Sequence, residues 1–139
     1  MRLLCIDFGL KFVGVAVADF PGITARALDT IRADKVAPLS VIARLCRDEG
    51  IGKILIGFPF SDVEGEIHHN IRAFRAELEA TLPGMPIEFV DESYSSQEAE
   101  QLMASSGLGR KKKTRAQDSE AAKLVLLRYL RAHDGESFF

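Results

Sequence analysis

The chain has 139 residues, 47% hydrophobic and 27% charged, which suits one core of ordinary globular composition. No apolar run approaches the roughly 20 residues that span a bilayer, and no basic segment with a cleavage site opens the chain, so a cytoplasmic location without a membrane partner is expected. The net charge of −2 argues against nucleic acid only until its distribution is read: Arg110, Lys111, Lys112, Lys113 and Arg115 fall in "GRKKKTR" without one acid, which leaves −7 on the rest.

"RLLCIDF" and "FVGVAVAD" are short apolar runs split by Gly9. Near-continuous apolarity predicts strands buried on both faces. A turn at Phe20 to Gly22 leads to a more polar candidate strand around Ala25 to Ile31, giving a three-strand meander. Val36, Leu39, Ile42, Leu45 and Cys46 then fall at helical spacing, with Gly50 as the stop. "KILIGFP" reads as a buried strand ended by Gly57 and Pro59. Ile67, Ile71, Phe74, Leu78 and Leu82 mark an amphipathic helix, with His68 and His69 expected at the surface. "PIEFVDE" is a further strand, followed by a helix through Ser95 to Ala104. A last apolar helix carries Ala121, Leu124, Val125, Leu127 and Leu130. Cys5 and Cys46 sit in apolar segments and read as reduced core thiols.

The order is three strands, helix, strand, helix, strand, helix, helix. It predicts one α/β domain over 1–139 with a basic loop at about 107–116. The expected sheet is mixed and five-stranded, an antiparallel three-strand meander plus two parallel strands, flanked by helices. Ligands gather at the carboxyl ends of parallel strands in such sheets. Two of the three strands ending there finish in acids, Asp7 and the Asp91-Glu92 pair. Neighbouring strand residues face opposite ways, so only one of the pair can aim at Asp7. Asp118 lies within or just before the first turn of the last helix, where the dipole favours a carboxylate even without a ligand.

Each acid has an ordinary reading as a turn, cap or solvated residue. Three converging acids without a cation would raise each other's pKa values, and an oxygen-only set suits Mg2+ or Mn2+. Two such ions sharing carboxylates activate a water and stabilise the leaving oxygen in phosphodiester hydrolysis. The basic segment then has a role in holding a phosphate backbone, its alternative being a solvated surface loop.

The motifs in order resemble the YqgF/RuvX family of ribonuclease H-like proteins, associated with Holliday-junction resolution and with pre-16S ribosomal RNA processing. "IDFGLKFVGVAVAD" is similar to the family's opening Asp-x-Gly-x-Lys segment, "IGFP" to its Gly-x-Pro strand end, "VDESYSSQEAE" to its Asp-Glu-Arg segment, and "DSEAAKLVLLRYL" to its final helix. The resemblance implies a ribonuclease H-like fold, catalytic metal-binding acids at Asp7, Glu92 and Asp118, and a family lysine at Lys11. Ser93 stands where the family usually has Arg, removing one cation expected near a scissile phosphate. The expected activity is a metal-dependent endonuclease, in 5′-end processing of pre-16S ribosomal RNA. Its partners would be RNA or a DNA junction and ribosomal precursor particles, with Lys11 and the five cations of residues 110–115 on the nucleic acid. The chain itself would be a monomer or weak homodimer. A junction resolvase on DNA and a non-catalytic nucleic-acid-binding assembly factor are the alternatives. An actin-like phosphotransferase shares the first loop but needs a second domain and a nucleotide cleft.

Overall fold

The computed structural model describes residues 1–92 and 110–133, the side chains of 110–117 excepted. Strands β1 (Arg2–Asp7) and β2 (Phe12–Asp19) form the first hairpin, followed by β3 (Arg26–Ala27) and β4 (Ile31–Arg32). Helix α1 (Pro38–Glu49), β5 (Ile51–Phe58), α2 (Glu66–Thr81), β6 (Ile87–Asp91) and α3 (Arg110–Ala132) complete the described elements. Gly50, with φ 64°, closes α1 as its position predicts. The helix expected at Ser95 to Ala104, like Ser93, lies outside the described residues.

The sheet runs β3-β2-β1-β5-β6, with β4 also pairing β2. β1 is antiparallel to β2, whereas β1–β5 and β5–β6 are parallel. This is the expected mixed sheet with one change. The third meander strand is two short pieces, β3 on Ala16–Val17 and β4 on Phe12–Val13. The break exposes Val15 N–H on the side where a continuous strand would pair. Ser119 of α3 fills it: Val15 N donates to Ser119 Oγ at 3.4 Å, and the Thr30 hydroxyl lies 2.8 Å from the same oxygen.

Strand parity sorts the core into two layers. Leu4, Ile6, Val13, Val15, Ile54 and Ile56 pack with Ile42, Ile71, Phe74 and Leu78 of α1 and α2. Leu3, Cys5, Ala16, Ala18 and Leu55 face α3, meeting Ala122, Val125, Leu126 and Leu130. The sheet residues under α3 are mostly small, so the helix lies close. Cys5 and Cys46 are free and buried, as expected. Among the described residues no helix is long and apolar enough to cross a membrane.

Two sequence expectations need correction. His68 is not a surface residue but 1% exposed, while Ile67 keeps 40%. Both lie near the apolar stripe of α2, and hydrogen bonding decides between them. His68 Nδ1 accepts from Gly65 N at 3.1 Å, which leaves Nε2–H to donate to Pro59 O at 3.0 Å. The ring thus gives Gly65 N–H its acceptor and adds a second donor to the Pro59 carbonyl, which Asp62 N–H also reaches at 3.2 Å. Second, the basic segment is helical from Arg110 rather than a loop. Lys, Arg, Ala and Gln are good helix formers, no Gly or Pro lies between Arg110 and Ala132, and like-charge repulsion costs only tenths of a kcal/mol per pair.

Candidate metal centre at the carboxyl edge of the sheet

Parity alone brings the acids to one face. Asp7 continues the Leu3, Cys5 series and so points to the α3 side of the sheet. Glu92 continues from Val90, which packs against the α3 layer, whereas Asp91 alternates to the other face and is exposed. Asp118 is four residues before Ala122 and extends the buried stripe of α3 upward to the same edge. It is the ninth residue of that helix, so the expectation that it caps the first turn is corrected.

Two glycines make the convergence possible. Gly14 pairs with Asp7 across the hairpin. A Cβ at Gly14 would lie 2.0 Å from Asp118 O and 2.7 Å from Ser119 N, so the backbone of α3 rests directly on β2 beside Asp7. A Cβ at Gly57 would lie 2.8 Å from Glu92 Oε2 and 3.1 Å from its Cβ, so Glu92 folds over the end of β5. The Glu92 N–H also donates to Phe58 O at 3.2 Å, which anchors its backbone there.

The electrostatics are those of acids crowded without a counter-ion. Burial is the largest influence on Asp7, followed by its side-chain bond to Glu92 and the charges of Glu92 and Asp118; together they push its carboxyl well up. Glu92 is also pushed up, first by burial, and the charges of Asp62 and Asp91 add to it. The bond to Asp7 acts the other way on Glu92 and partly offsets that rise. Burial raises the Asp118 carboxyl to about 6. Cys5, next inward on the same face, feels both acids, and its thiol is pushed well up by burial and then by their charge.

These donors fit a hard divalent cation: all are carboxylate oxygens, and their mutual charge pushes Asp7 upward where a positive charge would relieve it. Among the described residues no three His, Cys, Asp or Glu side chains are already gathered as ligands. Holding an ion at these acids would require their side chains to draw closer together. Glu120 has a buried Oε2 without a hydrogen-bond partner, but it sits roughly 200° around the helix from Asp118 and does not join the set.

The expected nucleic-acid residues are placed less uniformly. Lys11 is in the turn after β1, at the same edge, with its ammonium 5.5 Å from the Phe12 ring centroid and within Coulombic reach of Asp34. Residues 110–115 occupy the first turns of α3. The helix runs from Asp118 at this edge down to Tyr129, whose hydroxyl meets Lys53 at the far end. Its first eight residues therefore project roughly 12 Å past the acids. Ser119 and Thr30, which fix the depth of α3 on β2, were not legible as functional; the adjacency of Ser119 to Asp118 is the signal that points to it.

The family model described as RuvX, Holliday junction resolvase, matches residues 1–132. A relative from Chlorobaculum tepidum, named "Putative pre-16S rRNA nuclease", is 39% identical over 136 residues, covering 95% of this chain and 94% of its own. One of the same name from Syntrophus aciditrophicus is 38% identical, over 95% and 89%. Among solved structures, Thermus thermophilus RuvC in complex with a Holliday junction aligns at TM-score 0.59 and 14% identity, over 95% of this chain and 96% of that one. The fowlpox virus resolvase with its junction DNA aligns at 0.62 and 12%, over 95% and 98%. At those identities the structures establish the fold, a RuvC-like ribonuclease H fold. The match over residues 1–132 and the 39% identity to a full-length relative establish that this chain belongs to the RuvX family.

Proposed function

We propose that this chain is a nuclease of one ribonuclease H-like domain, hydrolysing phosphodiester bonds in cytoplasmic 5′-end processing of pre-16S ribosomal RNA. The observation that carries it is the placing of Asp7, Glu92 and Asp118 on one face of the carboxyl edge of the sheet, by strand register and by the close contacts at Gly14 and Gly57. Asp7, Glu92 and Asp118 would hold Mg2+ or Mn2+, which when bound activates a water and stabilises the leaving oxygen. The chain's own part is positional. Strand parity sets the face of Asp7 and Glu92, and the Gly14 contact sets the depth of Asp118. Lys11 and the basic turns of α3 would bind phosphates on either side, which orients a strand across the acids without reading its sequence.

The test is purified protein with Mn2+, offered a 5′ precursor segment of ribosomal RNA, single-stranded RNA and a four-way DNA junction side by side. Cleavage of the precursor RNA is expected. Symmetrical cutting of the junction by a dimer would instead favour the resolvase reading, which the description of the family model supports. Binding without cutting in any lane would leave the assembly-factor reading.

Two variant sets bear on the architecture. Gly57→Ala pushes Glu92 aside at a strand end, so the melting temperature should hold within a few degrees while cleavage falls about 100-fold. Gly14→Ala meets backbone, and should destabilise the protein itself by displacing α3. Changing Lys111, Lys112 and Lys113 together to Ala should weaken binding of all nucleic acids by a similar factor. The slope of log affinity against log salt should shrink by about 0.7 per lost contact on single strands. Unchanged binding at moderate salt would show that these lysines are merely solvated.

A further inference from the structure

Of seven large apolar side chains exposed among the described residues, five (Leu10, Val36, Phe60, Val63 and Ile67) belong to the connections and the helix start at the edge that carries the acids. Single exposed apolar residues are ordinary. Phe60 differs in how it is held. It is 57% exposed, yet its ring packs on Phe58 with centroids 4.8 Å apart. Phe58 in turn packs on Phe89 at 4.7 Å and on the edge of His68 at 5.2 Å. Phe60 N donates to Phe58 O at 2.9 Å, and His68 grips the intervening Pro59 carbonyl. A column of rings thus rises from the core and ends in one solvent-facing ring on a fixed backbone.

That backbone is shared with the acids. The Phe58 carbonyl accepts from both Phe60 N–H and Glu92 N–H, so one oxygen ties the exposed ring to the strand end that presents Glu92. Arg72 stands over Phe58 at 5.2 Å, bonded to Glu64, and the basic turns of α3 project past the same edge. The ring and Arg72 belong to the α1/α2 face of this edge and the acids to the α3 face. A nucleic acid strand laid across the strand ends would therefore meet a flat apolar surface and charged groups in turn. A protein partner or a second copy has no comparable claim on both the ring and the charges. A base in a duplex has its faces covered by its neighbours, so only an unpaired base can use this surface without unstacking.

Resting on the nucleic-acid reading above, we infer that Phe60 is a stacking platform for an unpaired nucleobase at the sheet edge that carries the acids. It selects single-stranded, bulged or splayed nucleotides over continuous duplex.

The sequence contains no tryptophan, so Phe60→Trp creates a single reporter. In an Asp7→Asn background, which separates binding from cleavage, Trp fluorescence should be quenched by single-stranded oligonucleotide and unchanged by blunt duplex. Phe60→Ala should weaken single-strand binding by roughly 5- to 100-fold, the range for loss of one base–aromatic stack, and duplex binding by less than about twofold. Phe60→Leu should behave like Phe60→Ala. Four results would overturn the inference: an unquenched Trp with oligonucleotide bound, equal losses on single strand and duplex, full binding by Phe60→Leu, or intact oligonucleotide binding with lost self-association. A wild-type protein that cuts nothing but shows the Phe60 dependence would defeat the nuclease reading and leave the platform standing.

Discussion

Replacing Asp7 by Asn is expected to cut the hydrolysis rate below about one-thousandth of wild type, the scale of several kcal/mol of lost transition-state stabilisation. The fold should survive, because Asn keeps the shape of a side chain whose burial and like-charged neighbours are costs rather than supports. At about pH 8, where repulsion among the acids is greatest, the metal-free variant should melt no lower than the metal-free wild-type protein. Glu92→Gln should lose activity comparably. Asp91→Asn should be much milder, because Asp91 faces away from the set. Single-turnover cleavage with Mn2+ and thermal melts with chelator make the comparison. Wild-type rates in Asp7→Asn, or equal losses at Asp91 and Glu92, would show that the acids were assigned wrongly.

The metal-free protein should lose stability as pH rises from about 5 to about 8, a direction opposite to that of ordinary salt-bridged acids. Burial raises Asp118 to about 6, and Asp7 and Glu92 are also shifted upward. Each folded value then stands above the unfolded one of roughly 4. Such groups stabilise the fold fully below the unfolded value and cease to as pH climbs through the folded one. A divalent cation competes with those same protons, so the melting-temperature gain from Mn2+ should be larger at about pH 8 than at about pH 5. Asp7→Asn should flatten both trends. Calorimetry with chelator or saturating Mn2+ reads them directly. A metal-free melting temperature that rises over this range, or an Mn2+ gain independent of pH, would contradict the electrostatic account.

What was legible in the sequence was what periodicity encodes. Alternation along "IEFVDE" allows only one of Asp91 and Glu92 to face Asp7, and in the structure Glu92 lies on that side with Val90 while Asp91 is exposed on the other. Gly50 ended α1 because a left-handed residue was needed there. What was illegible depended on partners distant in sequence. His68 reads as polar, and only the backbone groups of Gly65 and Pro59 explain why it is buried. The third strand looks continuous until Ser119, far along the chain, fills the gap at Val15. The start of α3 was misplaced because charge repulsion was given more weight than helix propensity across residues 110–117. That error concerned the cations. For the acids, strand order brought Asp7 and the Asp91-Glu92 pair to one edge, the family resemblance chose Glu92, and Asp118 was expected nearer the start of α3 than its ninth position.

The central claim is that Asp7, Glu92 and Asp118 together hold the ion on which hydrolysis depends. Electron paramagnetic resonance of Mn2+ tests it without any substrate, because the free-ion signal falls as ions bind. Wild-type protein at neutral pH should take up Mn2+, with Mg2+ competing, and Asp7→Asn, Glu92→Gln and Asp118→Asn should each lose most of that uptake. The same affinity in all four proteins would contradict the account, because the ion would then bind elsewhere and the acids would have no common purpose.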